Sequence, residues 1–77
     1  MHKDWPKMAD ELNVAIKEVR LGTPEVMKAF SAMAAAATQA GTLDAKTKEL
    51  IALAISVAIR CDGCVAFHAK AAVRRGA

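Results

Sequence analysis

The sequence predicts a small all-α protein, a bundle of about four helices. Three observations predict it. Apolar residues recur at spacings of three and four along most of the 77 residues, the repeat of a helix with one buried face. Helix start and stop signals (Thr-Pro-Glu, Leu-Asp, isolated glycines) punctuate those stretches. No stretch alternates apolar with polar residues in a β-branched or aromatic context, and there is no hairpin dipeptide.

The first helix is expected from about Trp5 to Arg20. Met8, Leu12, Ala15, Ile16 and Val19 share one face, with Lys7, Glu11, Lys17 and Glu18 elsewhere on the wheel. Gly22 ends it. Thr23-Pro24-Glu25 then starts the second helix, with threonine as N-cap, proline at the first helical position and glutamate in the first turn. That helix spans about Pro24 to Ala40 and presents Val26, Met27, Phe30, Met33, Ala34 and Ala37. Met27 and Met33 read as core filler. Asp44 is the expected N-cap of the third helix, with Thr42 as the other candidate. From Leu50 onward this helix is apolar on every side, Ser56 apart, until Arg60 closes it. A helix apolar all round is a buried helix. Cys61-Asp62-Gly63 forms a short turn, Asp62 can cap the fourth helix, and that helix runs to about Arg75. Gly76 stands where a C-terminal glycine cap belongs.

Residues 1–77 make a single small domain. A chain of this size buries only roughly 60% of the surface that its unfolded form exposes. Yet its composition is 55% hydrophobic. The all-apolar third helix cannot be covered on every face within one such chain. Self-association is the simplest cover, and further chain is the alternative.

The net charge is +3, with both signs mixed along the chain and only three aromatic residues, Trp5, Phe30 and Phe67. No basic face is laid out for nucleic acid. Arg74-Arg75 fits a helix C-terminus offsetting its dipole. The longest apolar run is about ten residues, against roughly twenty needed to cross a bilayer. The N-terminus lacks the apolar core of a signal peptide. A cytoplasmic protein without membrane or nucleic-acid partners is expected. In that compartment a Cys-x-x-Cys pair points to catalysis or metal binding rather than to a structural staple.

Reactive side chains gather in Cys61-Asp62-Gly63-Cys64-Val65-Ala66-Phe67-His68, which holds both cysteines and one of the two histidines. A helix N-terminus favours the thiolate, the nucleophilic form, and the charge of Asp62 opposes it. Cys64 and His68 are four residues apart and share a helix face, so the imidazole can shuttle a proton for the sulfur. Cys61 is close enough in sequence to form a disulfide with Cys64. In such a redox dithiol one sulfur attacks and the other resolves the intermediate. Glu49, twelve residues before Cys61, leads into the apolar run and needs a partner. His68 on the neighbouring helix would serve, giving a relay from Glu49 through His68 to a cysteine. The same Cys-x2-Cys-x3-His spacing also resembles three zinc ligands, with Glu49 or His2 as a fourth.

Glu49, Cys61-x-x-Cys64 and His68 at these spacings resemble the carboxymuconolactone decarboxylase superfamily, in its AhpD-like alkylhydroperoxidase branch. The lead-in Leu43-Asp44-Ala45-Lys46-Thr47-Lys48-Glu49-Leu50-Ile51-Ala52-Leu53-Ala54 and the tail from His68 to Gly76-Ala77 continue the likeness. The resemblance implies an all-helical domain that assembles into trimers, hexamers or similar rings. It implies a thiol-dependent peroxidase or disulfide oxidoreductase that needs no cofactor and no metal. Cys64 would be peroxidatic, Cys61 resolving, and Glu49 with His68 the proton relay. The substrate would be a hydroperoxide or disulfide, and a dithiol protein would supply electrons.

Two departures accompany it. Some relatives carry a histidine immediately before the second cysteine, where this chain has Gly63. Relatives also run on for two more helices beyond the Gly-Ala, so this domain is expected to be C-terminally short. A non-enzymatic or redox-sensing helical module remains as an alternative, as do the family's decarboxylase chemistry and a Cys/His metal site.

Overall fold

In a computed structural model that describes residues 3–77, the chain forms four α-helices: α1 (Trp5–Gly22), α2 (Pro24–Thr38), α3 (Ala45–Ala58) and α4 (Asp62–Arg74). No strand occurs among the described residues. His2, considered as a fourth metal ligand, lies outside them. The all-α expectation holds, and the helix limits move by one or two residues for identifiable reasons.

Each start has a local cause. Asp4 caps α1, its carboxylate accepting from the Lys7 N–H at 3.0 Å. Asp44, rather than Thr42, caps α3 by accepting from the Thr47 N–H at 2.7 Å. That bond, together with the Thr47 side chain, holds the Asp44 carboxyl below its ordinary range. Thr23 is the N-cap of α2 in position only. Its hydroxyl donates back to the Val19 carbonyl at 2.8 Å, so α1 extends through Gly22 and no side chain caps α2.

The ends are equally specific. α2 stops at Thr38 because Gln39 turns into extended backbone. Lys48 of α3 reaches across to the freed carbonyls, donating to Ala37 at 3.2 Å and Gln39 at 2.6 Å, which suits a cation at a helix C-terminus. At the end of α4, Gly76 adopts φ 103°. The Ala77 N–H then reaches the Ala72 carbonyl and the Gly76 N–H that of Val73. This is the expected glycine cap. α3 ends in the same pattern without a glycine. Arg60 takes φ 58°, the Arg60 N–H donates to the Val57 carbonyl, and the Cys61 N–H donates to that of Ser56.

Packing is closest between α3 and α4. α1 lies against α4 and α2, and α2 barely meets α3. The arrangement is open: the radius of gyration is 13.2 Å, against about 11.5 Å for a compact chain of this length. The buried core consists of Ala9, Ala66 and Ala72, joined by the polar residues Glu49 and Ser56. Met8, Leu12 and Ile16 of α1 are half-buried as expected, whereas Ala15 and Val19 are exposed.

The expected burial of α2 and α3 is not met within one chain. Met33 is 64% exposed and Phe30 55%, so Met33 does not fill this core; Met27 is half-buried. On α3, Leu50, Ile51, Ile55 and Val57 face outward. The cause is geometric. α3 meets α4 along one stripe, the one carrying Glu49 and Ser56, and touches α2 only slightly, so these four side chains stay uncovered. None of the described helices is long and apolar enough to cross a membrane.

Candidate functional site

The site is built on the facing sides of α3 and α4. Glu49 and Ser56 are seven residues apart on α3, two turns along one stripe, and both are buried. Ser56 satisfies its hydroxyl on the Ala52 carbonyl at 2.6 Å. Glu49, only 6% exposed, meets His68 of α4, with Nδ1 to Oε2 at 2.7 Å. An ionised carboxylate only accepts, and with Glu49 in that form the donor is His68 Nδ1–H. The expected pairing of Glu49 with His68 is therefore present across the helix interface.

Both cysteines stand at the start of α4, joined by a disulfide. The expectation for the cap needs correcting. Cys61, not Asp62, is the N-cap, and its Sγ accepts from the Cys64 N–H at 3.3 Å. Asp62 becomes the first helical residue and Cys64 the third. The reason lies in the preceding corner. Arg60 in the left-handed region turns the chain so sharply that Cys61 both closes α3 through its N–H and opens α4 through its sulfur. Three residues, Ile59, Arg60 and Cys61, join the two helices, and the field of α4 acts most directly on its N-cap, Cys61.

Asp62 is also less disruptive than its charge alone suggests. Lys3 Nζ lies 2.7 Å from Asp62 Oδ2 and 5.7 Å from the Trp5 ring centroid. The sequence offered no signal for this pair, since 59 residues separate its members. Gly63 has a steric role. A Cβ there would stand 3.0 Å from Leu12 Cδ1, tighter than ordinary van der Waals contact, so α1 approaches α4 closely beside the cysteines. A histidine at this position would have to displace Leu12. Among the described residues, no three His, Cys, Asp or Glu side chains gather as a metal site. The disulfide occupies both sulfurs that the zinc reading requires.

Comparison with known proteins agrees with this architecture. Residues 24–77 match the Carboxymuconolactone decarboxylase family. An uncharacterized protein of Haemophilus influenzae is 40% identical over 72 residues, covering 94% of this chain and 64% of its own length. An uncharacterized protein of Cupriavidus necator is 40% identical over 77 residues, covering 100% of this chain and 68% of its own length. The crystal structure of a carboxymuconolactone decarboxylase family protein from Legionella pneumophila, in its apo form, superposes with a TM-score of 0.91 at 39% identity. That match covers 99% of this chain and 68% of the Legionella chain. The chain thus spans about two thirds of the length of these relatives.

Proposed function

The chain belongs to the carboxymuconolactone decarboxylase family, and we propose that within it the chain is a thiol-dependent oxidoreductase. It reduces hydroperoxides or disulfides through Cys64 and Cys61, with Glu49 and His68 as the proton relay. The observation that carries this reading is the 2.7 Å Glu49–His68 bond, on the same α4 that opens with the Cys61–Cys64 disulfide. A buried carboxylate that orients an imidazole, one turn from a sulfur, is an arrangement for proton transfer.

With a hydroperoxide, the Cys64 thiolate attacks the terminal oxygen. The O–O bond breaks, an S–O bond forms, and the departing alkoxide takes a proton through His68. The Cys61 thiolate, held at the helix N-cap, then attacks the Cys64 sulfenic acid. The S–S bond forms, the S–O bond breaks, and the departing hydroxide takes up a proton and leaves as water. The disulfide is the product of this two-electron half-reaction, and a dithiol donor returns it to two thiols.

Large exposed side chains on α2 and α3 support assembly of the chain into a homo-oligomer, a trimer or hexamer, in which neighbouring subunits cover them. The central test is peroxide turnover with a dithiol donor for wild type, Cys64→Ser and Cys61→Ser. Both substitutions abolish turnover on this reading, and equal rates in all three proteins would sink it.

A further inference from the structure

Arg60 is the one described non-glycine residue with positive φ. A long side chain in the left-handed region costs free energy that glycine would not, and here it immediately precedes Cys61. Two further observations concern the same side chain. Among the described residues, Arg60 makes no ion pair. It also lines a cavity of about 240 Å³ together with Lys3, Trp5, Val57, Asp62 and Val65. Arg60 and Asp62 flank Cys61 in sequence, so two charged residues of the cavity lining stand on either side of that cysteine in the chain. Its charges are Lys3, Arg60 and Asp62. Lys3 neutralises Asp62 at 2.7 Å, which leaves the Arg60 guanidinium as the uncompensated charge, next to apolar walls.

We propose that Arg60, supported by Lys3, forms an anion-binding subsite beside Cys61 that takes the carboxylate of a small thiol reductant. The inference deepens the thiol–disulfide reading above and rests on it. The carboxylate pairs with the guanidinium, and the apolar part of the thiol lies against Val57, Val65 and Trp5. The thiolate attacks Cys61 Sγ, the Cys61–Cys64 bond breaks, and Cys64 leaves as a thiolate on the helix face it shares with His68, taking up a proton. A second thiol attacks the mixed disulfide at the reductant's sulfur. It releases the oxidised reductant and frees Cys61, so that two thiols are oxidised and one protein disulfide is reduced.

The test measures single-turnover reduction of the isolated disulfide, quenched by alkylation and read by mass, with 3-mercaptopropionate and with 2-mercaptoethanol. The readout is the ratio of the two rate constants, so the intrinsic reactivity of each thiol cancels between protein variants. No peroxide is involved, and a failed peroxidase reading leaves this measurement standing. Arg60→Gln lowers the ratio by about threefold to tenfold, as expected for one partly screened charge pair. Arg60→Lys largely retains it and guards against a mere loss of fold. Lys3→Gln lowers the ratio by freeing the Asp62 charge, and Asp62→Asn raises it. The proposal is overturned if the ratio is unchanged in Arg60→Gln, or if Arg60→Gln and Asp62→Asn move it in the same direction. A disulfide that neither thiol reduces would overturn both the exchange reading and the subsite.

Discussion

Replacing Glu49 separates a proton relay from a structural anchor. The carboxylate is 6% exposed and accepts from the half-buried His68 ring at 2.7 Å. Glu49→Ala removes the acceptor and leaves an N–H with no partner at the helix interface. A hydrogen bond to a charged group contributes about 1.5–3 kcal/mol, and Glu49→Ala is expected to lose that much stability. Glu49→Gln keeps an accepting oxygen and nearly the same volume, so its loss is about 0.5–1.5 kcal/mol. Urea unfolding at one fixed protein concentration measures both, because an assembling chain has concentration-dependent stability. The chemical effect runs in a different proportion. Positioned acid–base catalysis contributes about 10²–10⁴-fold. Loss of the carboxylate charge in Glu49→Gln should therefore slow peroxide-dependent oxidation of the dithiol by about tenfold to a hundredfold, despite its small stability cost. Stopped-flow oxidation with a hydroperoxide, followed across pH, gives the rate and its profile. If Glu49→Gln oxidises at the wild-type rate with the wild-type profile while Glu49→Ala is merely less stable, Glu49 is an anchor and the relay argument fails.

Four further outcomes are expected. Arg60→Gly should raise the melting temperature by a few degrees: it relieves roughly 1–2 kcal/mol of left-handed strain, and glycine's added chain entropy offsets about half of that; a lower melting temperature contradicts the strain argument. Asp44 has a lowered folded-state carboxyl range, caused first by the Thr47 N–H, so its stabilisation is fully present above the unfolded value of about 3.8 and fades as pH falls through the lower folded value. The stability gap between wild type and Asp44→Ala should accordingly narrow on acidification below that point, and a constant gap in acid unfolding curves would count against the cap. Gly63→His should destabilise by about 1–3 kcal/mol through overlap with Leu12, and by less in a Leu12→Ala background; a double-mutant cycle without coupling excludes that contact. Ile55→Glu, on the uncovered side of α3, should shift the sedimentation profile toward monomer, and an unaltered profile would place the assembly interface elsewhere.

The helical class and all four elements were legible in the sequence because they depend on local signals. Periodicity, an Asp N-cap and a C-terminal glycine act within a turn or two of the residues that carry them. The Glu49–His68 pairing was legible for another reason. An acidic residue at the head of an apolar helix requires a partner, and two helices joined by a tight turn must run back against each other. Burial was less legible. The apolar faces of α2 and α3 are real as patterns, but a pattern says only that a face must be covered and not by which chain. Met33 and Phe30 belong to such a face and stand exposed here. Lys3 could not be assigned to Asp62 at all, since nothing local in either residue encodes a contact across almost the whole chain.

The corner between α3 and α4 shows where local rules compete. Aspartate is a favoured N-cap and cysteine is not, so propensity alone assigns the cap to Asp62. The helix before it decides otherwise. The C-terminal motif of α3 requires a left-handed residue followed by an N–H that reaches back to Ser56, and Arg60 and Cys61 occupy those two positions. Once Cys61 closes α3, the next available residue already has helical geometry, and the cap falls to the cysteine. A redox sulfur thereby takes the place of an ordinary capping oxygen, while the displaced carboxylate turns to Lys3. The arrangement joins chemistry to fold at one residue. Cys61 receives an N–H from the first turn of α4, and the strained Arg60 that places it there also lines the cavity that holds Lys3 and Asp62. A glycine at position 60 would make the same corner at lower cost, and it would bring no charge to the sulfur.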